Sequence, residues 1–590
     1  MRDNEDTKKA IHKGENDLKS KTLMQVRRNM PNLWMEGALF AFSGYDGRTH
    51  SSSRFVATAG ADDYSLLFHT PKRRWLEFQA IPPGNVQIAT GDVLLVDHEE
   101  GPLLAVFQSW HTLVGTAPAT VDMQLRFEEE DGGEVRRENA FLVTESADGQ
   151  DAVVLLRHED RWALAYGSRV EEAAERAVKG LASDVWNEAE DRMQFYRHAP
   201  RLEDPLKERL LLKCFSVMKV NTLAAEGVIH QHWSTPDRVP HQAMWLWDSV
   251  FHTFAMNRVD PAIAWHFLKS VLDTQQEDGM IPHTTKVDGS SSNMTQPPVL
   301  AWGVWENYLH TRRKDDLRYA LPRLVHYLSW DIANRDSNCN ELLEWMIEGN
   351  PLCRSGESGM DNSPRFDRAA LLDAVDFSVF VAQDAHYIGR IADEVGDIEL
   401  ANEWKRKAAN VRAQIHSSLW DEKEGFYFDR DMDGSLSGVK AVSGFLPLLL
   451  DGLPPEHAQR LVSLLQDPNH FQTKFPIPTT AASEAEYGTD MWRGPVWLNT
   501  NYLVYIGLKR QGREEEADRL ARQTIEMVQK YYERFGVIFE YFDSSDRVPP
   551  IACDRKGPPS ALYDIRKKMD VVRDFHWSAA LTACMLMELT

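Results

Sequence analysis

The sequence predicts a mainly α protein, an (α/α)6 toroid preceded by an antiparallel β-sandwich. Between residues 35 and 170, segments of strand length rich in β-branched and aromatic residues alternate with turn signals. From residue 205 onward, apolar residues recur instead with the 3.6-residue period of amphipathic helices. The loops between these helices are rich in Trp, Asp, Gly and Pro. Such loops are expected where one end of a ring of helices lines a pocket.

The domain boundaries follow these changes of pattern. We expect a charged N-terminal extension over residues 1–34, the β-sandwich over 35–170, a helical linker over 171–204 and the helical domain over 205–590. A chain of 590 residues is too long for one ordinary core, which agrees with several domains. The N-terminus lacks the apolar stretch of a signal peptide, so we expect a cytoplasmic protein.

Eight short segments carry the prediction of the sandwich. Their spacing is typical of antiparallel strands joined by turns. The segments are RFVATAG, YSLLFHT, WLEFQAI, GDVLLVDHE, LLAVFQSW, TVDMQLRFEE, NAFLVTES and DAVVLLRH.

Ten longer segments carry the prediction of the helical domain. Their periodicity alone equally allows an open α-solenoid, and the closed toroid is inferred from the loops between them. The segments are LKERLLLKCFSVMKVNTLAA, DPAIAWHFLKSVLDTQQ, AWGVWENYLHTRR, LRYALPRLVHYLSWDIANR, AALLDAVDFSVFVAQDAHYIGRIADEV, IELANEWKRKAANVRAQIHSSLW, EHAQRLVSLLQ, NYLVYIGLKRQG, EEADRLARQTIEMVQKYYERFG and HWSAALTACMLMEL.

Composition narrows the choice of partner. A formal net charge of −23 disfavours nucleic acid and anionic membrane surfaces, and no run of eighteen apolar residues exists. Eighteen tryptophans suit a carbohydrate, because aromatic rings pack on the apolar faces of sugars. We therefore expect a small-molecule carbohydrate substrate, with no nucleic-acid or membrane partner. The oligomeric state stays open.

No metal or cofactor is expected. The five cysteines show no CxxC spacing, and the histidines no HExxH spacing. Residues 429–434, DRDMDG, have the first oxygens and the Gly of an EF-hand loop, but Lys440 stands where that loop needs Glu. We expect a turn without metal here, with calcium as the alternative.

Four loops combine carboxylates with aromatic residues. They are GESGMDNSPRF (356–366), HQAMWLWDSVFH (241–252), EYGTDMWRGPVWLNTNY (486–502) and GVIFEYFDSSD (536–546). Hydrolysis of a glycosidic bond needs one carboxyl group to protonate the leaving oxygen and another to activate water. Separate loops that share a pocket could supply this pair.

These loops resemble the motifs of glycoside hydrolase family 63 and its mannosylglycerate- and glucosylglycerate-hydrolase-like relatives. GESGMDNSPRF is similar to their general-acid motif and IFEYF to their base-carrying segment, while WLWDSVFH, MWRGPVWLNTNYLVYIGL and FHWSAAL match three further segments. The resemblance covers about residues 205–590 and implies an (α/α)6 barrel. It implies that Asp361 is the general acid and Glu540 the general base of an inverting hydrolysis of a small α-glucoside or α-mannoside. No trehalase signature is found, so trehalose is not the expected substrate.

An acid role for Asp361 requires a raised pKa. Met360 and Phe366 could desolvate Asp361, and Glu357 could supply a nearby negative charge. Arg365 would oppose this shift, so we expect it to point elsewhere. An inverting pair should lie roughly 6.5–9.5 Å apart to hold the water.

Eleven residues are candidates for substrate binding. Several have structural alternatives: Asp248 could cap a helix that begins near Ser249, Arg493 could form a structural ion pair, and the tryptophans could be core residues. Asp361 could cap a loop, and Glu540 could form an ion pair at a helix end. The candidates are Trp245, Trp247, Asp248, Gln296, Trp302, Glu357, Arg365, Trp492, Arg493, Trp497 and Trp577.

Other functions remain open at this stage. A catalytically silent carbohydrate-binding protein would keep the tryptophans without needing both carboxylates. A phosphorylase on a related barrel would need a phosphate site. No His or Arg/Lys cluster is recognised near residues 356–366, the loop that carries Asp361, which we call the acid loop. A retaining hydrolase and an α-helical interaction scaffold are the remaining alternatives.

Overall fold

The computed structural model describes residues 19, 21–25, 28–61, 64–79, 84–557 and 571–589. Much of the expected N-terminal extension, residues 1–34, lies outside the described residues. The chain divides into two compact units. The β-rich unit takes Met1–Glu226, Asp237–Gln242 and Tyr531–Ile538, and the helical unit takes Gly227–Pro236, Ala243–Lys530 and Phe539–Thr590.

The β-rich unit contains two antiparallel sheets, which confirms the predicted antiparallel strands. A five-stranded sheet has the order β1-β2-β3-β4-β9, and an eight-stranded sheet has the order β10-β11-β12-β13-β8-β7-β6-β5. The strands are β1 Leu39–Phe40, β2 Ala57–Ala59, β3 Leu66–Phe68, β4 Arg74–Gln79, β5 Asn85–Ala89, β6 Val93–Asp97, β7 Leu103–Ser109, β8 Thr112–Thr116, β9 Asp122–Phe127, β10 Gly133–Glu138, β11 Phe141–Ser146, β12 Ala152–His158 and β13 Arg161–Gly167.

One hydrophobic core joins the two sheets. It contains Phe68 and Phe78 from the five-stranded sheet and Phe107 and Trp162 from the eight-stranded sheet, all buried. Along β9, buried and exposed residues alternate, as expected for a strand with one face on a core. The inward faces of the two sheets therefore pack against each other.

This unit also contains the helices α1 Val170–Leu181, α2 Val185–Met193 and α3 Pro205–Val220. The segment expected to be a linker contains α1, which packs on β12 and β13 through Ala173 and Ala177. In α3, the buried Lys219 ammonium lies 2.6 Å from Asp92 and 2.9 Å from Asp46. These ion pairs join α3 to the β-rich unit, so the unit continues to Glu226, beyond the boundary expected at residue 205.

The helical unit confirms the predicted helix-rich region. Among the described residues, no helix is both long and apolar enough to span a membrane. The helices are α4 Leu246–Met256, α5 Pro261–Leu272, α6 Leu300–Thr311, α7 Lys314–Asn334, α8 Val375–Val395, α9 Ile398–Ser418, α10 Pro455–Leu465, α11 Leu498–Arg510, α12 Glu514–Phe535, whose last residues belong to the β-rich unit, and α13 His576–Glu588.

Six elements of the helical unit pack in a closed cycle, which we call the inner ring. Helix α4 contacts α6, α6 contacts α8, and α8 contacts the 3-10 helix Val442–Leu449. That 3-10 helix contacts α11, α11 contacts α13, and α13 contacts α4 again. Helices α5, α7 and α9 pack beside members of this cycle. The first and last helices of the unit thus meet.

A histidine pair lies between α4 and α13. The rings of His252 and His576 stack at 3.6 Å, and both side chains are fully buried. The Nδ1 atom of His252 lies 2.8 Å from Ser234 Oγ, and that of His576 lies 3.1 Å from the carbonyl oxygen of Thr235. Burial lowers the pKa of His252 well below its usual value and that of His576 to about 3. Both rings are therefore neutral at pH 7.

The free energy of unfolding should fall as the pH drops below about 6.5, the usual pKa of an unfolded histidine. Below that pH the unfolded state binds protons that the folded pair does not bind. Each histidine then lowers stability by up to about 1.36 kcal/mol per pH unit. Urea unfolding at pH 7.0 and 5.5 measures this, with His576→Asn expected to weaken the dependence and the exposed His198→Asn as control. Equal pH dependence in wild type and His576→Asn would contradict the role of the pair.

Candidate active site

The loop that carries Asp361 packs directly on Trp247. Gly359 has φ +70, and a Cβ there would lie 2.3 Å from the Trp247 ring, so only glycine fits. The carbonyl oxygen of Asp361 accepts hydrogen bonds from the backbone N–H groups of Arg354 at 2.8 Å and Ser355 at 3.1 Å. The Asp361 side chain remains 20% exposed. The loop is thus fixed by its backbone, while its carboxylate stays accessible.

The carboxylate of Glu540 is fixed by two hydrogen bonds and is more buried than that of Asp361. It directly precedes the short strand Tyr541–Phe542, which pairs with Val496–Trp497. Its Oε1 accepts a hydrogen bond from Arg555 Nη2 at 3.1 Å, and its Oε2 accepts one from the backbone N–H of Val572 at 3.2 Å. The side chain is only 4% exposed. Because both partners are donors, the site suits an ionised carboxylate.

Five aromatic rings form a continuous contact network, which we call the aromatic wall. Trp497 stacks on Trp492 at 3.9 Å and on Tyr541 at 4.9 Å, and it meets Trp577 edge-on at 5.7 Å. Trp577 in turn contacts Trp247 at 5.5 Å. Among the described residues, the buried indole N–H groups of Trp492 and Trp577 have no acceptor. A hydroxyl group bound beside them could satisfy these donors.

The aromatic wall links the two predicted catalytic residues. Asn362, next to Asp361, accepts a hydrogen bond from the backbone N–H of Trp492 at 3.1 Å. Glu540 is bonded to Tyr541, which stacks on Trp497 of the same network. Chain segments that are far apart in the sequence therefore bring the residues next to Asp361 and Glu540, Asn362 and Tyr541, into contact with the aromatic wall.

Two consecutive cations contact the two carboxylates. Arg555 donates to Glu540, and Lys556 Nζ lies 2.6 Å from Asp361 Oδ2. Because adjacent Cα atoms are about 3.8 Å apart, one short segment reaches both acids. The backbone N–H of Gly557 anchors this segment to Asp490 at 2.6 Å. No His or Arg/Lys cluster was recognised near the acid loop in the sequence, and the structure brings Lys556 there from a distant segment.

Cys353 also lies beside Lys556. The ammonium is 3.7 Å from Cys353 Sγ. Burial, followed by the negative charge of Asp361, raises the pKa of this thiol, which keeps it neutral. The thiol is thus a weakly polar neighbour of the Lys556–Asp361 pair.

Two predicted binding residues lie in buried ion pairs instead. Arg365 is directed away from Asp361, as predicted, but its guanidinium is fully buried between Asp376 and Asp429. The carboxylate of Glu357 is fully buried on Arg335 at 2.8 Å. Neither charged group is presented to a ligand, and both brace the loops around residue 361. This placement corrects the expected substrate contacts of Arg365 and Glu357.

Three other candidates surround the start of α4. Gln296 Oε1 accepts a hydrogen bond from the backbone N–H of Trp247 at 3.1 Å, so this buried side chain positions the tryptophan. Trp245 is half-buried and meets His283 edge-on at 6.3 Å. Asp248 is buried in the first turn of α4, which begins at Leu246. The helix thus starts earlier than Ser249, and Asp248 is not its N-cap residue.

Two further candidates lie elsewhere. Arg493 forms an ion pair with Asp367, beside the acid loop, and this matches the structural alternative. Trp302 lines a separate cavity of 280 Å³ together with Glu306, Tyr502 and other residues. No residue of the aromatic wall, nor Asp361 or Glu540, lines that cavity. The structure therefore does not bring Trp302 to the carboxylate pair.

The EF-hand-like sequence has different contacts. The Asp429 carboxylate accepts hydrogen bonds from Arg365 and from the backbone N–H of Val375 at 2.9 Å. Asp433 accepts from the backbone N–H of Ser435 at 2.9 Å, as in a tight turn. Within the described ranges, no group of three or more metal-ligating side chains is found.

Sequence reasoning missed Arg555, Lys556 and Asn362. Arg555 and Lys556 lie in CDRKGPP, outside the four aromatic–acidic loops. Adjacent basic residues in a Gly/Pro-rich loop of a strongly acidic chain were the available signal. Asn362 lies within the acid loop, but its bond to Trp492 joins residues 130 apart.

Comparison with known proteins shows which protein family matches this sequence. The sequence profile described as "Mannosylglycerate hydrolase MGH1-like glycoside hydrolase domain" matches residues 240–547, more than half of the chain. An uncharacterised protein of Borreliella burgdorferi is 30% identical over 218 residues, which cover 37% of this chain but only 44% of that protein. Mannosylglycerate hydrolase of Thermus thermophilus is 26% identical over 387 residues, which cover 52% of this chain and 89% of the relative.

Two solved structures share the fold. GH63 mannosylglycerate hydrolase from Thermus thermophilus, solved with glucose, has a TM-score of 0.53 and 24% identity, and covers 64% of this chain and 99% of its own. A bacterial glucoamylase complexed with acarbose has a TM-score of 0.60 and 12% identity, with 94% of both chains covered. The second match extends over the β-rich unit as well as the helical unit.

Proposed function

The chain belongs to the family of mannosylglycerate hydrolase MGH1-like glycoside hydrolases, and we propose that it hydrolyses a small α-mannoside or α-glucoside with inversion. Asp361 acts as the general acid and Glu540 as the general base. The observation that carries the proposal is that two consecutive cations contact the two carboxylates, while the neighbouring residues Asn362 and Tyr541 contact one aromatic wall. We also propose that the inner ring is the inner layer of an (α/α)6 toroid.

The hydrogen bonds around Glu540 suit a general base. Arg555 and the backbone N–H of Val572 occupy defined positions on its two oxygens, so the carboxylate has a fixed direction. A fixed, ionised carboxylate can accept a proton from water as the water attacks the anomeric carbon. The five rings of the aromatic wall are themselves buried, so the wall supports Glu540 through Tyr541, and this matches the core alternative for its tryptophans.

Asp361 has the surroundings expected on the leaving-group side. A general acid protonates the glycosidic oxygen, so the leaving group lies next to Asp361 and therefore next to Lys556. A leaving group that carries a carboxylate, such as glycerate, would pair with the Lys556 ammonium. This pairing would draw the ammonium from Asp361 and allow Asp361 to carry its proton. Lys556 thus favours a glycosylglycerate over a neutral glycoside.

A substrate panel tests this function. We expect α-mannosylglycerate or α-glucosylglycerate to be hydrolysed, and NMR during the first turnovers to detect the β-anomer of the free sugar. Inversion requires this anomer, because water attacks the face opposite the leaving group. Early release of the α-anomer would contradict the inverting assignment. Failure to hydrolyse any α-mannoside or α-glucoside would contradict the substrate class.

Lys556→Met should remove the preference for a charged leaving group. We expect kcat/KM for the glycosylglycerate to fall roughly tenfold or more relative to the matching glycosylglycerol, as for the loss of one charge-assisted hydrogen bond. Lys423→Met, at a side chain that is 90% exposed, is the matched control. Equal losses on the charged and the neutral substrate would show that Lys556 does not select the leaving group.

A further inference from the structure

A small cavity away from the aromatic wall is lined by three arginines and only one acidic residue. It has a volume of 120 Å³ and lies among α8, α9, the end of the 3-10 helix Val442–Leu449 and the last residue of α11. We call it the basic cavity. The charged or polar side chains that line it include Gln383, His386, Arg390, Arg412, Asp451 and Arg510.

The charge of this cavity is unusual for the chain. The protein has 89 acidic against 66 basic residues, yet three arginines line this cavity with a single acidic residue, Asp451. Asp451 is 68% exposed, and its carboxylate lies 3.8 Å from His386 Nε2. Among the described residues, none of the three guanidinium groups lies within 4.0 Å of a carboxylate oxygen. Their positive charge is therefore not neutralised by an ion pair.

Neutral groups hold two of these arginines in place. Arg510 donates to the carbonyl oxygen of Leu449 at 2.7 Å and to the Tyr387 hydroxyl at 2.8 Å. The Arg390 guanidinium lies 4.2 Å above the Trp305 ring. These contacts orient the guanidinium groups and leave their net charge intact. A positive charge fixed in this way is prepared for an anion.

A buried amide supplies a second, independent sign of a ligand. Gln383 is only 3% exposed and lines the cavity. Its Oε1 accepts a hydrogen bond from Arg510 at 3.3 Å, while its Nε2 has no acceptor among the described residues. Buried donors without a partner are rare, because native structures pair most of them with protein or water. An acceptor atom inside the cavity would satisfy this donor.

We propose that the basic cavity binds a small oxyanion of the phosphate type. The anion would accept charge-assisted hydrogen bonds from the arginines and a neutral one from Gln383. A volume of 120 Å³ has room for a few water-sized groups and none for a nucleotide or an oligosaccharide. No residue of the aromatic wall lines the cavity, so binding here needs no sugar.

The bound anion would also connect structural elements. The arginines come from α8, α9 and α11, so one anion would bridge two members of the inner ring, α8 and α11, and the adjacent helix α9. Binding only to the folded state raises the unfolding temperature with ligand concentration. The proposal therefore predicts stabilisation by phosphate beyond that of a neutral salt.

Calorimetric titration with inorganic phosphate tests the site, with the full chain and no sugar present. Sodium chloride at matched ionic strength is the salt control. We expect saturable binding to wild type, roughly tenfold weaker binding to Arg412→Gln, and no detectable binding to Arg390→Gln/Arg412→Gln. Arg406→Gln, at an exposed position on the same helix α9, should bind as wild type does.

Thermal unfolding without phosphate shows whether the variants fold. If Arg412→Gln unfolds at the wild-type temperature and binds phosphate as tightly as wild type, the proposed site is wrong. The proposal also fails if wild type shows no binding beyond the chloride control. Binding that Lys556→Met abolishes and Arg412→Gln leaves intact would assign the anion to the carboxylate pair instead.

Discussion

Glu540→Gln should lower kcat by roughly 10²–10⁴-fold, the usual contribution of general acid–base catalysis. The amide keeps the shape of the side chain and one acceptor oxygen, but it cannot take a proton from water. Substrate binding should therefore change little. Steady-state kinetics on the best substrate of the panel, with binding measured by calorimetry, would separate the two effects.

The matched control is Asp543→Asn, three residues further along the chain. Asp543 is buried and accepts hydrogen bonds from the backbone N–H groups of Ser545, Arg547 and Val548, so it caps a turn. This variant should lose stability while its kcat stays within a few-fold of wild type. If Glu540→Gln keeps near-normal turnover, the base is another group.

Asp361→Asn should behave differently from Glu540→Gln. An activated aryl glycoside leaves without needing a proton, so loss of the acid should matter much less for it than for a natural leaving group. Loss of the base should slow both substrates alike, since both need activated water. Comparing the two variants on the two substrates therefore assigns the roles. Equal rate losses for Asp361→Asn on both substrates would contradict its role as the acid.

Arg365→Met should destabilise the protein by about 3–5 kcal/mol, the usual cost of removing one partner of a buried ion pair. The change leaves two buried carboxylates, Asp376 and Asp429, without their cation. Even with Arg365 present, burial raises the pKa of Asp429 to about 6. Urea unfolding at pH 7 would measure the loss, and Arg365→Met/Asp376→Asn/Asp429→Asn should recover part of it.

The pH dependence of Arg365→Met has a definite sign. A carboxyl group whose folded pKa lies above its unfolded value binds protons preferentially in the folded state, so stability rises as the pH falls through that window. Without the cation, the pKa of Asp429 should rise further above 6. The variant's deficit relative to wild type should therefore be smaller at pH 5 than at pH 7. A constant deficit would contradict an electrostatic origin.

The regular elements were predictable because their pattern is local. Each segment predicted to be helical contains a helix. In contrast, β1, β5, β8, β10 and β13 lie outside the predicted segments. Strand β10, GEVRRE, is largely exposed and polar, so no alternation of buried residues marks it. Its pairing with β11 creates the strand, and sequence patterns do not report pairing.

The site was predictable only where a loop carries its own signature. Asp361 and Glu540 stand in recognisable motifs, yet nothing around Arg365 in the sequence indicates that Asp376 and Asp429 enclose it. Likewise, a tryptophan at a helix start looks alike in the sequence whether it joins the aromatic wall, as Trp247 does, or another cavity, as Trp302 does. The partners of a buried charge, and the tryptophans that form the aromatic wall, are set by contacts between segments distant in the sequence. Only the folded chain defines those contacts.

The closed inner ring has a consequence for synthesis on the ribosome. Helix α13 closes the cycle by packing on α4, and it also contributes Trp577 to the aromatic wall. A nascent chain therefore cannot complete the inner ring or the aromatic wall until residues 576–588 have left the exit tunnel. Fragments truncated before His576 should accumulate without hydrolytic activity, however well their earlier helices form.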